Sequence, residues 1–211
     1  MTNLLVINAH PKVDDDSSVT LLVLRYFLET YSKRNPEAHI EQIDLYREYV
    51  PVIDRVFLEA QEKVKRSERL TEEEQRTTAR MTELLRQFQR ARQYVIAMPL
   101  HNFNIPSRLK DYVDNILIPR ETYKFTEKGS VGLLNDGRSA VVIQGSGAVY
   151  TRQDWYTEVE YSHKYLHSMF RFLGFDDYRI IRAEGTALRK REDILAEAYR
   201  EAYEAAIQLA P

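Results

Sequence analysis

Leu4-Leu5-Val6-Ile7-Asn8 is followed by the polar loop His10-Pro11-Lys12-Val13-Asp14-Asp15-Asp16-Ser17 and then, from Ser18, by a segment whose Leu21, Leu24, Leu28 and Tyr31 recur at helical spacing. The reading of this stretch decides the fold. A nearly continuous apolar run is what a strand covered on both faces requires, because neither face meets water. The segment after it carries one apolar stripe, as a helix packed on such a sheet does, and Ser17 or Ser18 can cap its first turn. Strand, loop and helix in that order open a parallel β/α unit.

The same unit recurs along the chain. Further strands are predicted at His39 to Leu45, Tyr94 to Met98, Ala140 to Gln144 and Tyr178 to Ala183. In the first of these only Ile40, Ile43 and Leu45 are apolar, an irregular pattern that suits an edge strand. Thr71 and Glu74 have the spacing of a capping box ahead of a stripe of Met81, Leu84, Leu85, Phe88 and Ala91. Pro106 opens a helix with Leu109, Tyr112, Val113, Ile116 and Leu117 inward. One helix is expected from about Glu158 to Leu173, stopped by Gly174, and a last one carries Ile194, Ala198, Ala202, Ala205 and Leu209 on one face. The basic run Lys63, Lys65, Arg66 and Arg69 reads as a solvated face. The pattern predicts an α/β fold, a flavodoxin-like, doubly wound five-stranded parallel sheet of order 2-1-3-4-5 with helices on both faces. A length of 211 residues and a mass of 24.9 kDa fit a single domain spanning residues 1–211.

Composition removes whole classes of function. With 30 Lys+Arg against 32 Asp+Glu the net charge is −2, so the chain lacks the positive field that nucleic-acid backbones attract. A cysteine count of 0 excludes disulfides, thiolate metal sites and thiol nucleophiles, and there is no G-x-S-x-G pattern for a serine hydrolase. No stretch approaches the roughly 18 uninterrupted apolar residues of a membrane span, and the N-terminus has no basic leader segment; a cytoplasmic protein is expected.

In open α/β sheets, ligands bind beyond the carboxyl ends of the strands near the switch point, so three loops are read for function. After the first strand, Ser18, Val19 and Thr20 stand where a helix begins. Its unpaired N–H groups and positive dipole end, with the hydroxyls, can hold a phosphate without a glycine-rich loop. The same residues also suit an ordinary serine cap, and the three aspartates would repel a dianion unless they face water. After the third strand, Met98-Pro99-Leu100-His101-Asn102-Phe103-Asn104-Ile105-Pro106-Ser107 contains two prolines that restrict the backbone. Such a loop presents fixed N–H groups and a wall to a flat ligand, or forms a rigid turn into the next helix. After the fourth strand, Gly145-Ser146-Gly147-Ala148 lets backbone approach a ligand closely, as it would also allow a plain turn. A ligand spanning all three loops has a phosphate at one end and a planar ring at the other, which is the shape of FMN.

These loops carry a resemblance. Pro99-Leu100-His101-Asn102-Phe103-Asn104-Ile105-Pro106 followed by Leu109-Lys110-Asp111-Tyr112-Val113-Asp114 resembles the strand-three loop and helix of the FMN-dependent NADH-azoreductases, a bacterial branch of the flavodoxin-like quinone reductases. Tyr123-Lys124-Phe125-Thr126-Glu127-Lys128-Gly129 to Gly132-Leu133 and Ala183-Glu184-Gly185 are similar to further signatures of that family in order and spacing. The resemblance runs from residue 4 to the C-terminus.

It implies that Ser18, Val19 and Thr20, with His10 nearby, hold the FMN phosphate. Leu100, His101, Asn102 and Phe103 would line the ribityl chain and the ring, and Gly145, Ser146, Gly147 and Ala148 would meet the pyrimidine edge. The family more often has two adjacent glycines where this chain has Gly147-Ala148, a tyrosine where it has Phe125 over the open ring face, and a serine where it has His10. The resemblance further implies ping-pong hydride transfer from NADH or NADPH through FMN to a quinone or azo compound. The chemistry sits on the flavin, so no catalytic side chain and no metal are assigned. It also implies a homodimer, to which aromatic residues in loops, Tyr123, Phe125, Tyr150, Trp155 and Tyr156, would contribute. The alternative is a flavodoxin-like electron carrier without its own small-molecule substrate. Such carriers are usually shorter and strongly acidic, whereas this chain has an extra segment, Val50 to Arg69.

Overall fold

In the computed structural model, which describes residues 3–209, the first apolar run is strand β1 (Asn3–Asn8). Its alternate side chains serve two cores. Leu5 and Ile7 join Leu84, Phe88, Tyr94, Tyr112 and Phe170, whereas Leu4 and Val6 join Val23, Phe27, Val95 and Ala198. Helix α1 (Val19–Arg34) starts at Ser18, whose side chain accepts a hydrogen bond from the Leu21 N–H. The chain continues through β2 (His39–Asp44), α2 (Arg55–Lys65), α3 (Glu72–Arg90), β3 (Gln93–Pro99) and α4 (Ser107–Ile116). A hairpin of β4 (Tyr123–Thr126) and β5 (Gly129–Gly132) precedes β6 (Ser139–Ser146), α5 (Trp155–Glu158), α6 (Tyr161–Leu173), β7 (Asp177–Glu184) and α7 (Arg191–Leu209).

The main sheet has the order β2-β1-β3-β6-β7, and every pairing in it is parallel. Numbered among themselves, these five strands run 2-1-3-4-5, as the sequence predicts, and β2 lies at an edge. Helices α1 and α7 cover one face, while α3, α4 and α6 cover the other. The register matters for the site: Asn8 pairs with Ala97 and Pro99 with Gly145, so β1, β3 and β6 end side by side. Two backbone bonds carry the pairing past the strand ends, from Ala9 N–H to the Ala97 carbonyl at 2.8 Å and from Leu100 N–H to the Gly145 carbonyl at 2.8 Å. Among the described residues, no helix is long and apolar enough to cross a membrane.

Three readings of the sequence need correction. The helix expected from Glu158 to Leu173 is broken into α5 and α6, because Glu160 leaves the helical path to serve as a buried acceptor. Its carboxylate takes Gln144 Nε2 at 2.8 Å and Arg182 Nε and Nη2 at 2.8 and 2.9 Å. Tertiary partners thus override a continuous helical pattern. The segment Tyr123 to Gly132 is a hairpin, whose strands of 4 residues are too short to register as periodicity. Lys63, read as part of a solvated run, reaches back from α2 to the buried Glu74 carboxylate at 2.6 Å. That carboxylate also closes the predicted capping box with Thr71. Lys63 and Thr71 together hold the Glu74 carboxyl below its ordinary range.

Candidate functional site

The three loops after β1, β3 and β6 enclose a cleft of about 630 Å³. His10, Ser18, Val19, Thr20, Leu100, His101, Gly145, Ser146 and Gly147 line it, so most of the predicted site residues come together. Asn102 and Ala148 follow directly on the lining residues His101 and Gly147, and Phe103 comes next after Asn102, but none of the three lines the cleft itself. Phe125 is elsewhere, on β4, with 71% of its surface exposed.

The floor of the cleft is the start of α1. The N–H groups of Val19 and Thr20, which precede the first helical bond, have no acceptor among the described residues. Thr20 is only 2% exposed, yet its hydroxyl also has no hydrogen-bond partner among the described residues. A hydroxyl and two open amides at the positive end of a helix are a set of donors suited to an anion. Gly145 makes room for this arrangement: a β-carbon there would fall under 3.0 Å from Thr20 Oγ1.

His10 is bound into the same corner. Its Nε2 lies 3.0 Å from Ser18 Oγ, while its Nδ1 is 2.9 Å from the Lys12 carbonyl and 3.2 Å from the Lys12 N–H. Nδ1 either donates to the Lys12 carbonyl or accepts from the Lys12 N–H, and Nε2 correspondingly accepts from or donates to the Ser18 hydroxyl. Burial holds the imidazole below its ordinary value, against the Lys12 carbonyl and Asp15, which favour its charged form.

The three aspartates of this loop do not crowd the anion site. Asp14 lies outside the cleft lining and pairs with Arg47 at 2.7 Å, and Asp16, likewise outside it, pairs with Arg25. Asp15 does line the cleft, but its carboxylate accepts from the Ser17 N–H at 2.8 Å and from the Ser17 hydroxyl, and faces Lys12 at 3.8 Å. Those bonds hold the Asp15 carboxyl below its ordinary range.

The second loop is fixed in an uncommon backbone shape. His101 and Asn104 exchange two hydrogen bonds of 2.9 Å, and between them Asn102 and Phe103 have φ of 47° and 67°. Two consecutive non-glycine residues in the left-handed region are strained, and such strain persists only where the surroundings impose it. Here Ser162 N–H holds the Phe103 carbonyl at 3.2 Å, and the Phe103 ring meets Trp155 edge to face at 5.4 Å. The N–H groups of Asn102 and Phe103 are unpaired among the described residues, as are those of Gly147 and Ala148 in the third loop.

Sequence reasoning missed several lining residues. Pro11, Lys12, Asp15 and Ser17 belong to the first loop, and Pro99 to the second, but none has a pattern that separates it from its neighbours. Thr186 follows the Ala183-Glu184-Gly185 signature, which placed it within reach of a bolder reading. Arg191, at the first position of α7, had no signal in the sequence.

Comparison with known proteins agrees with this geometry. A family model described as a flavodoxin-like fold matches residues 2–207. The chain is 59% identical over 211 residues, covering 100% of this chain and 99% of its relative, to FMN-dependent NADH:quinone oxidoreductase 1 of Bacillus cereus. A crystal structure of an FMN-dependent NADH-azoreductase from Bacillus anthracis in complex with FMN superposes with a TM-score of 0.98 at 57% identity, over 100% of both chains. A second Bacillus anthracis azoreductase structure gives a TM-score of 0.89 at 30% identity, over 99% of this chain and 100% of that one. The chain belongs to the flavodoxin-like family of FMN-dependent NADH:quinone oxidoreductases and azoreductases.

Proposed function

We propose that the cleft holds FMN and that the protein passes reducing equivalents from NADH to a quinone or an azo compound. The observation that carries this reading is the unpartnered Thr20 hydroxyl, on a residue lining the cleft, beside the open Val19 and Thr20 amides. A phosphate monoester satisfies all three at once and benefits from the helix end. In this reading Ser18, Val19, Thr20 and His10 hold the phosphate. Leu100, His101, Asn102 and Phe103 flank the ribityl chain and ring, with the Asn102 and Phe103 amides free to donate to the ring. Gly145, Ser146, Gly147 and Ala148 take the pyrimidine edge, where the Gly147 and Ala148 amides favour negative charge.

Bound FMN supplies the chemistry, accepting hydride from a reduced nicotinamide and returning it to an acceptor. The chain's own part is to bind, orient and exclude water; no side chain acts as nucleophile and no metal is required. A homodimer belongs to the same reading. Phe125 is exposed on the hairpin and does not line the cleft of its own chain, and in this reading it covers the ring face in the cleft of a second copy. A cytoplasmic location belongs to the same reading, since NADH is supplied there.

The test is direct. Purified protein given FMN should leave gel filtration yellow, with one flavin per chain, and anaerobic NADH should bleach it until a quinone restores the colour. An electron carrier would bind FMN but respond to NADH only through a separate reductase. A protein that stays colourless after reconstitution overturns the reading.

A further inference from the structure

Arg191 opens α7 on the lining of the cleft, and its guanidinium has no hydrogen bond or ion pair among the described residues. The other charged groups on that lining are already engaged. Lys12 and Asp15 face each other at 3.8 Å, and the His10 ring is held by Ser18 and Lys12. The neighbouring Arg189 is committed to Glu197 at 2.7 Å. A cation in the first turn also stands against the positive end of its own helix, a position the dipole favours for Glu192 and Asp193 instead. An anion placed between the two helix starts reverses that disadvantage.

The backbone that carries Arg191 is fixed to the site. Gly185 N–H donates to the carbonyls of Ser146 and Ala148, both at 3.0 Å, while Thr186 and Ala187 N–H reach the Ser146 and Gly147 carbonyls at 3.1 Å. Arg189 N–H closes the turn on the Gly185 carbonyl at 2.8 Å. Gly185 itself has φ of 84°, and a β-carbon there would meet Val149 Cγ2 and Arg189 Cδ at 2.9 Å, so the turn requires glycine. The turn from β7 into α7 is therefore laced to the glycine loop after β6, and Arg191 is presented to the cleft into which α1 directs Val19 and Thr20.

We infer that Arg191 reads the phosphate charge of the flavin nucleotide, so that the cleft prefers FMN to riboflavin. This rests on the proposal that the cleft holds FMN. A guanidinium matches phosphate oxygens with paired donors, and an exposed one acts over a range that salt shortens. The pyrophosphate of NADH offers the same chemistry, so the test separates the two.

Apoprotein of the wild type, Arg191→Gln and Arg191→Lys is titrated with FMN and with riboflavin, following quenching of flavin fluorescence, at low and high salt. The Gln variant should bind FMN about fivefold more weakly at low salt, with riboflavin affinity unchanged. The deficit should shrink near ~1 M salt, where the screening length falls to about 3 Å, and the Lys variant should lie between. Equal FMN affinity in wild type and Gln variant, or the same loss for both flavins, overturns the inference and leaves the FMN reading standing. A deficit seen only as a raised KM for NADH in the FMN-loaded protein assigns Arg191 to the nicotinamide and also overturns it. Wild-type apoprotein that takes up neither flavin removes the FMN reading and the inference together.

Discussion

Thr20 occupies the space that a side chain on Gly145 would need: a β-carbon at Gly145 would come under 3.0 Å from Thr20 Oγ1. The two residues sit on different elements, the first turn of α1 and the end of β6, so this contact sets how closely the helix start approaches the strand end. Gly145→Ala should therefore displace the hydroxyl or the strand, at an overpacking cost of about 1–3 kcal/mol, and weaken FMN binding with it. Gly147→Ala is the control. The nearest atom to its added carbon is Ala187 Cβ at 4.0 Å, and stability should change by no more than about 0.5 kcal/mol. Urea unfolding distinguishes them, and adding Thr20→Ala to Gly145→Ala should recover part of the loss. Equal effects at the two glycines would contradict this account.

The aspartates of the first loop, which look hostile to a phosphate in the sequence, are directed to other partners. Replacing Ser18 and Thr20 together by Ala should raise the Kd for FMN strongly, since each hydrogen bond to a charged phosphate is worth about 1.5–3 kcal/mol. Asp16→Asn removes a carboxylate already paired with Arg25 outside the cleft and should leave FMN affinity within about twofold. Flavin titration of both variants decides the matter. Release of FMN by the Asp16 change would show that the loop has been assigned the wrong role.

The sheet was legible because its strands are buried on both faces. Runs such as Leu4 to Asn8 and Tyr94 to Met98 must be apolar throughout, and a run of that kind leaves few alternatives. The hairpin of β4 and β5 was not legible, since its side chains are largely exposed and follow no apolar alternation. The break at Glu160 was hidden for another reason: its partners Gln144 and Arg182 come from strands 16 and 22 residues away in sequence. At the site, Ser18 and Thr20 could be found because a helix start is visible in sequence. Arg191 could not, because only the turn bonded to Ser146 and Gly147 brings it to the cleft. Likewise, Tyr150 stands in a loop yet is only 4% exposed, with its N–H bound by the Glu184 carboxylate at 2.7 Å.

Acid should destabilise the apoprotein through its histidines before its carboxylates respond. Burial, and then Arg182, hold the His163 imidazole below its ordinary value of 6.5. Burial does the same to His10. As pH falls through 6.5 the unfolded chain takes up protons that the folded chain resists, so the folded state binds fewer protons and its stability declines. Unfolding by urea at pH 7.5 and 5.5 should show lower stability at the more acid pH, and His163→Gln should reduce that difference. An identical pH dependence in wild type and variant would remove His163 from the account.

The exposed aromatic residues lead to the last prediction, self-association. Phe125 is 71% exposed and Trp155 57%, although Trp155 touches Phe103 at 5.4 Å and Tyr156 at 5.2 Å, directly beside the proposed ring site. Large rings left in water, Trp155 beside the proposed ring site and Phe125 on the hairpin, are what the centre of a protein interface is made of. Light scattering at low micromolar concentration should give about twice 24.9 kDa. Trp155→Ala should shift the protein toward monomer without unfolding it, because its ring contributes little to the chain's own core, whereas a central interface ring costs about 2 kcal/mol or more when truncated. A wild-type monomer that holds FMN and turns over NADH at full rate would refute the shared pocket and leave the flavin assignment intact.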